Sequence, residues 1–110
     1  MRSIKVGFRG KIIPLEVREL SKFEIYRGLM FKGSNCDNLL FNRRGKWGIH
    51  SFFVFFPFLA LWLDERNNVI ERKIVKPFSF HVAPREEFAR LVEIPVNWKN
   101  MNIINFFKNG

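Results

Sequence analysis

The chain is poor in the residues from which reactive centres are built. It has one cysteine, Cys36, two histidines, His50 and His81, and no glutamine. A lone cysteine excludes an internal disulfide and fits a reducing compartment. No two of Cys36, His50 and His81 stand at a ligand spacing such as CxxC or HxxxH, so neither a metal nor any other cofactor is expected. Asp37 beside Cys36 would raise the thiol's pKa, and Cys36 is read as a plain, partly buried thiol. Glu86 and Glu87 are adjacent and would point apart, not act as an acid–base pair. Gly7 and Gly10 stand alone, and Gly45 and Gly48 precede a strand, so there is no phosphate-binding loop. No catalytic residue emerges, and the reading leans away from an enzyme.

Acidic residues are also scarce, ten against nineteen lysines and arginines, for a formal charge of +9. Such a field attracts phosphate-bearing partners and anionic membranes. The bases run from Arg2 to Lys108 without a dense tract. The tightest group, Arg43, Arg44 and Lys46, adjoins Trp47. That aromatic and basic mix occurs at single-strand and sugar-binding surfaces, and these four are the nucleic-acid candidates. A solvated loop anchored by a tryptophan is the plainer reading, and nucleic-acid binding is disfavoured. The missing glutamine and the 26% of charged residues suggest a thermophile. The N-terminal MRSIKVGFRGKIIPL is broken by Lys5, Arg9 and Lys11 and lacks the apolar core of a signal peptide. A cytoplasmic protein without a membrane span is expected. Its 110 residues suit a single domain, 1–110.

What the chain has in excess is phenylalanine, fourteen in all. They crowd into HSFFVFFPFLALWLD, residues 50–64, with no charge between Ser51 and Asp64. A transmembrane helix needs about 20 apolar residues, and Pro57 interrupts this run. Extended chain fits better, because aromatic and branched residues favour a pleated sheet. Phe53, Phe55, Pro57, Leu59 and Leu61 then share one face. Phe52, Val54, Phe56, Phe58, Ala60 and Trp62 share the other. A strand apolar on both faces is covered on both, so it should be central.

Other segments follow from pattern. Ser3 to Phe8 alternates like a half-buried strand. Ile12 to Val17 is a second strand, placed at a sheet edge by Pro14. Ser21 and Glu24 form a capping box, which predicts a short helix near residues 22–31 with Gly33 at its end. Asn38 to Phe41 is a short apolar run, and residues 42–48 are a loop. Residues 65–68 form a hairpin loop before a strand from Val69 to Val75. Residues 77–85 are irregular, and Glu86 to Ala89 suggests one helical turn. Leu91 to Ile94 is a last strand. Trp98, Met101, Ile104 and Phe107 recur every three residues, suggesting a short C-terminal helix docked on the core. The predicted fold is mainly β, a compact barrel or sandwich.

Gly28-Leu29-Met30-Phe31-Lys32, then Leu39-Leu40-Phe41, the central HSFF, FP and LD groups, and Leu91-Val92-Glu93-Ile94-Pro95 resemble the DUF192 family, also called UPF0127. The resemblance runs from about Ile4 to Pro95 and has an archaeal look. It implies a compact β domain with a short helix before the GLM box, and it implies no activity. Where the family carries an arginine and an aspartate in the central stretch, this chain has Phe55 and Leu59. On the strand reading these share a face about Pro57, as a structural ion pair exchanged for apolar groups would.

Two functions of different class follow. The first is a non-catalytic binding or interaction module. Phe55, Leu59, Phe106 and Phe107 are its interface candidates, for a protein partner or a homodimer. The second is a site for a small anionic ligand, of sugar or carboxylate type, with Arg27, Lys32, His50 and Glu93 as candidates. His50 opens the central stretch beside Ser51, as a base, an anion contact or a hydrogen-bonded strand end. Glu93, between Val92 and Ile94, must face water, pair with Arg27 or Lys32, or border a cleft.

Overall fold

The computed structural model describes residues 1–21, 24, 28–51, 53–79 and 81–109. Six strands form one sheet: β1 (Arg2–Phe8), β2 (Lys11–Glu19), β3 (Leu39–Phe41), β4 (Phe58–Leu63), β5 (Val69–Val75) and β6 (Arg90–Pro95). A 3-10 turn (Trp98–Asn100) and a helix, α1 (Met101–Asn109), follow. The strand order is β1-β2-β3-β6-β4-β5. Only the β2–β3 pair is parallel. The sheet curls into a half-barrel until its outer strands touch. There the Gly7 amide donates to the Asn67 carbonyl at 2.9 Å, and Gly7 bridges Asn68.

β4 lies inside the sheet, between β5 and β6, and all six of its residues are buried. Phe58, Ala60 and Trp62 face one core, with Leu39, Phe41, Leu91, Val54 and Phe56. Leu59, Leu61 and Leu63 face a second core, with Ile4, Val6, Leu15, Val17 and Ile104. The two-sided covering expected of this strand is therefore present. The edge strand β5 carries Glu71, Arg72 and Lys73 in its middle.

The strand is shorter than the apolar run. It begins at Phe58, after Pro57, whose carbonyl accepts from the Val96 amide at 3.0 Å. Ser51 and residues 53–57 are not strand, so the single ribbon predicted from Ser51 is corrected. Ser51 organises this loop instead. Its buried hydroxyl donates to the Lys76 carbonyl at 2.6 Å and accepts from the Ser79 amide at 2.5 Å. Its carbonyl accepts from the Val54 and Phe78 amides. Val54 and Phe56 turn inwards, while Phe53 and Phe55 face water. Phe55 and Leu59 thus do not share a face, since Leu59 is buried in β4. Leu59 and Phe107 are both core residues, which corrects their reading as interface residues; Phe106 is half-buried.

Pro14 sits in β2, which is not at the end of the strand order. β2 meets β3 only at Arg18 and Glu19, while Pro14 pairs only with Lys5 of β1. The other side of β2 is thus unpaired at Pro14, where a missing N–H costs nothing. The capping box forms: the Ser21 amide donates to Glu24 Oε1 at 3.2 Å and the Glu24 amide to Ser21 Oγ at 3.3 Å. These bonds, the backbone one first, and Arg18 hold the Glu24 carboxyl below its ordinary range. The predicted helix near 22–31 falls largely on Lys22, Phe23, Ile25, Tyr26 and Arg27, which lie outside the described residues. Glu86 to Ala89 is not a helical turn; Phe88 instead bridges Gly45.

The C-terminal helix is present with a different inner face. Trp98 and Met101 are exposed, whereas Asn100, Ile104 and Phe107 are buried and Ile103 is half-buried. The true stripe is 100, 103, 104 and 107, the spacing of one helix face. Its first member is polar. Asn100 Nδ2 donates to Asn38 Oδ1 at 3.0 Å and to the Pro95 carbonyl at 2.8 Å, and Asn38 Nδ2 donates to the Glu16 carbonyl. Arg72 Nε donates to the Phe107 carbonyl at 2.5 Å, and its guanidinium lies over the Phe8 ring. Asn100→Ala should leave Asn38 and the Pro95 carbonyl short of partners. A loss of about 1–3 kcal/mol in urea unfolding is expected, with earlier hydrogen exchange in α1.

Candidate functional site

β6 alternates between the cores. Val92 and Ile94 enter the second, so Leu91 and Glu93 point into the first. Across the ladders Glu93 stands between Leu39 of β3 and Ala60 of β4. Ala60 is the smallest residue of β4, and it leaves room beside the carboxyl. Above it the chain turns through Gly28, whose φ is +52°. A Cβ at Gly28 would lie 3.4 Å from Glu93 Oε1 and 3.3 Å from Phe41 Cζ. Glycine is therefore favoured there by its left-handed backbone, and a side chain would crowd the Phe41 ring and the Glu93 carboxyl.

Glu93, Gly28 and Phe41 line a cleft of about 170 Å³. Phe41, Phe58, Leu29 and Val54 supply apolar walls, and His50, Arg43 and Trp47 lie at its mouth. Glu93 is only 4% exposed. Among the described residues it has no ion pair, and no side-chain hydrogen bond reaches its carboxyl. Burial pushes that carboxyl up to about 8. It is therefore mostly neutral at pH 7, and offers one O–H donor and one acceptor.

The mouth is held by loop-to-loop bonds. Gly45 and Phe88 exchange amide–carbonyl bonds at 3.0 and 2.8 Å, and Ile49 and Val82 do so at 2.7 Å each. Trp47 is wedged between Phe41 and Phe88, and its Nε1 donates to the Arg43 carbonyl at 2.9 Å. The Arg43 guanidinium lies 5.6 Å from the Trp47 ring centre. His81 covers Gly48, where a Cβ would fall 2.2 Å from His81 Cε1.

The cleft brings together His50 and Glu93 from the ligand candidates with Arg43 and Trp47 from the nucleic-acid candidates. Lys32 is not among its lining residues and forms no ion pair with Glu93. Arg27 lies outside the described residues. Arg44 pairs with Glu65 and, at 3.9 Å, with Glu87, while Lys46 is exposed. Burial, aided by Asp37 and opposed by Lys32, raises the Cys36 thiol. Among the described residues, no group of three His, Cys, Asp or Glu side chains could hold a metal. Gly28 is a site residue that sequence reasoning did not single out, although its signal is visible as the glycine of the GLM box.

No protein-family model matches the chain. No curated protein matches it either. Two solved structures share its fold. One is a protein of unknown function from Novosphingobium aromaticivorans DSM 12444, with a TM-score of 0.71 and 13% identity, over 92% of this chain and 76% of that one. The other is a candidate transcription regulator from Sinorhizobium meliloti 1021, with a TM-score of 0.72 and 16% identity, over 90% of this chain and 81% of that one. At such identities the likeness shows the fold alone.

The buried carboxyl has a pH signature. Below its ordinary pKa of 4.5, Glu93 is neutral in both the folded and unfolded chains and costs no ionisation energy. Between 4.5 and about 8 the unfolded chain ionises first, so stability falls as pH rises. Glu93→Gln should flatten this part of the stability curve. At pH 8 the variant should exceed the parent by up to a few kcal/mol in urea unfolding.

Proposed function

We propose that the protein is a non-catalytic binding module whose cleft over Glu93 takes a small ligand. The ligand would carry an oxyanion, such as a carboxylate, on an apolar or planar body. The observation that carries this reading is a nine-tenths-buried carboxyl in the lining of a cleft, with no ion pair and no side-chain hydrogen bond among the described residues. A neutral carboxyl in an apolar setting can donate its proton to a ligand oxygen, and such a bond is strengthened by the low local dielectric. Arg43 and His50 at the mouth suit a negative group, and Phe41 and Phe58 suit a flat one. A cavity of roughly 150 Å³ holds a benzene-sized molecule, so a single ring fits this volume. The resemblance to DUF192 supports a domain of this kind without specifying a ligand. The charge and composition support a thermophile's cytoplasmic protein.

Benzoate is a suitable probe. At millimolar concentration and well below pH 8, it should shift the amide resonances of Gly28, Gly48 and Glu93. The shifts should fade as Glu93 ionises above about 8, where two anions would repel. Glu93→Gln keeps a donor and should bind without that break, whereas Glu93→Leu should not bind. Unmoved resonances across a panel of small carboxylates and sugar acids would end this reading.

A second reading is nonspecific nucleic-acid binding. It is supported by the +9 charge, by exposed Arg43 and Lys46, and by the description of the Sinorhizobium protein. It requires retention of single-stranded DNA at low salt that weakens steeply as salt rises. No retention at low salt would dispose of it.

A further inference from the structure

Four phenylalanines stand in water near the cleft. Phe31, Phe53, Phe55 and Phe78 are 59%, 48%, 62% and 50% exposed. They form two pairs. Phe31 stacks on Phe53, with ring centres 5.0 Å apart and planes inclined by 19°; Phe55 meets Phe78 edge-on at 5.5 Å. The loop of residues 51–57 joins the pairs. Val54, between Phe53 and Phe55, is turned into the core. The Phe53 carbonyl accepts from the Phe31 amide, and the Ser51 carbonyl from the Phe78 amide, each at 2.9 Å.

Three of these residues have left-handed backbones, with φ of +61° at Phe31, +59° at Phe53 and +61° at Phe78. That region is unfavourable for bulky side chains. None of the three is drawn into the core, since each stays about half exposed. Strained backbone that presents apolar groups to water marks a contact surface.

The charge around the patch selects its partner. Lys32 follows Phe31, and Lys76 lies two residues before Phe78. Segments 28–36, 38–63 and 72–85, which carry the patch, contain no aspartate or glutamate. A second copy would set like charges face to face on chains of net +9 each. An anionic bilayer presents the opposite charge. It also needs no matching shape, since rings raised on loops can enter its interface one by one. We infer that this face docks on an anionic lipid surface. Phe31, Phe53, Phe55 and Phe78 enter the headgroup layer, and Lys32 and Lys76 meet lipid phosphates. The inference does not depend on the ligand of the cleft.

Co-sedimentation with phosphatidylcholine vesicles, with and without phosphatidylglycerol, tests it. The protein should pellet with the phosphatidylglycerol vesicles, and less so as salt rises. Phe53→Ser with Phe55→Ser should weaken partitioning by at least about tenfold, with circular dichroism checking the fold. Lys32→Glu with Lys76→Glu should weaken it independently. No pelleting at low salt would overturn the inference and favour a protein partner. Unchanged pelleting of the folded serine variant would also overturn it, as would a dimer in sedimentation that the serine substitutions abolish.

Discussion

β4 has no polar side to turn to water. Its six residues are buried, three into each core. The two faces are covered by different means. The β1–β2 hairpin and α1 close one of them with regular structure: Val6, Phe8, Leu15, Val17, Ile104 and Phe107. Loops close the other, through Leu29, Ile49, Val54, Val82 and Phe88. A loop must satisfy its own backbone polar groups while it covers apolar ones. Ser51 shows how this is done, with hydroxyl, amide and carbonyl all bonded to the chain around it. Such a cover seals less completely than a helix, and the cleft lies on this side of the sheet.

The strands were legible because their patterns are local. β5 was read from Val69 to Val75, as it is, and β1 and β6 to within a residue at each end. The central run misled in its first half. Alternation was carried back through Pro57, and nothing in composition distinguishes Phe55, which faces water, from Phe56, which does not. The difference lies in the bonds of Ser51 to residues 76–79, far along the chain. The helix face was misread for a related reason. Asn100 belongs to the buried stripe, but a polar residue there makes sense only once Asn38 and the Pro95 carbonyl are beside it. Of the site, Glu93 and His50 were visible as oddities of pattern. That Arg43 and Trp47 join them depends on the Gly45–Phe88 and Ile49–Val82 bridges, which no local rule supplies.

The cleft and the aromatic patch are neighbours by construction. Met30 and Val54 line the cleft, and the residues that follow or precede them, Phe31 and Phe53, stack outside it. The same two loops thus cover the core, border the cavity and carry the exposed rings. A carboxyl held neutral in an apolar setting is a costly feature, and an apolar residue would pack there with less penalty. On the proposed reading the carboxyl remains because a ligand completes it.

The outer strands of the half-barrel limit what else can attach. β1 meets the turn that leads into β5, where the Gly7 amide donates to the Asn67 carbonyl. Along β5, a further strand would have to lie beside Glu71, Arg72 and Lys73 and disturb the hold of Arg72 on the helix carbonyl. That end of the sheet is therefore a poor template for edge-to-edge stacking, and the remaining open edge, along β2 before its short pairing with β3, is interrupted by Pro14.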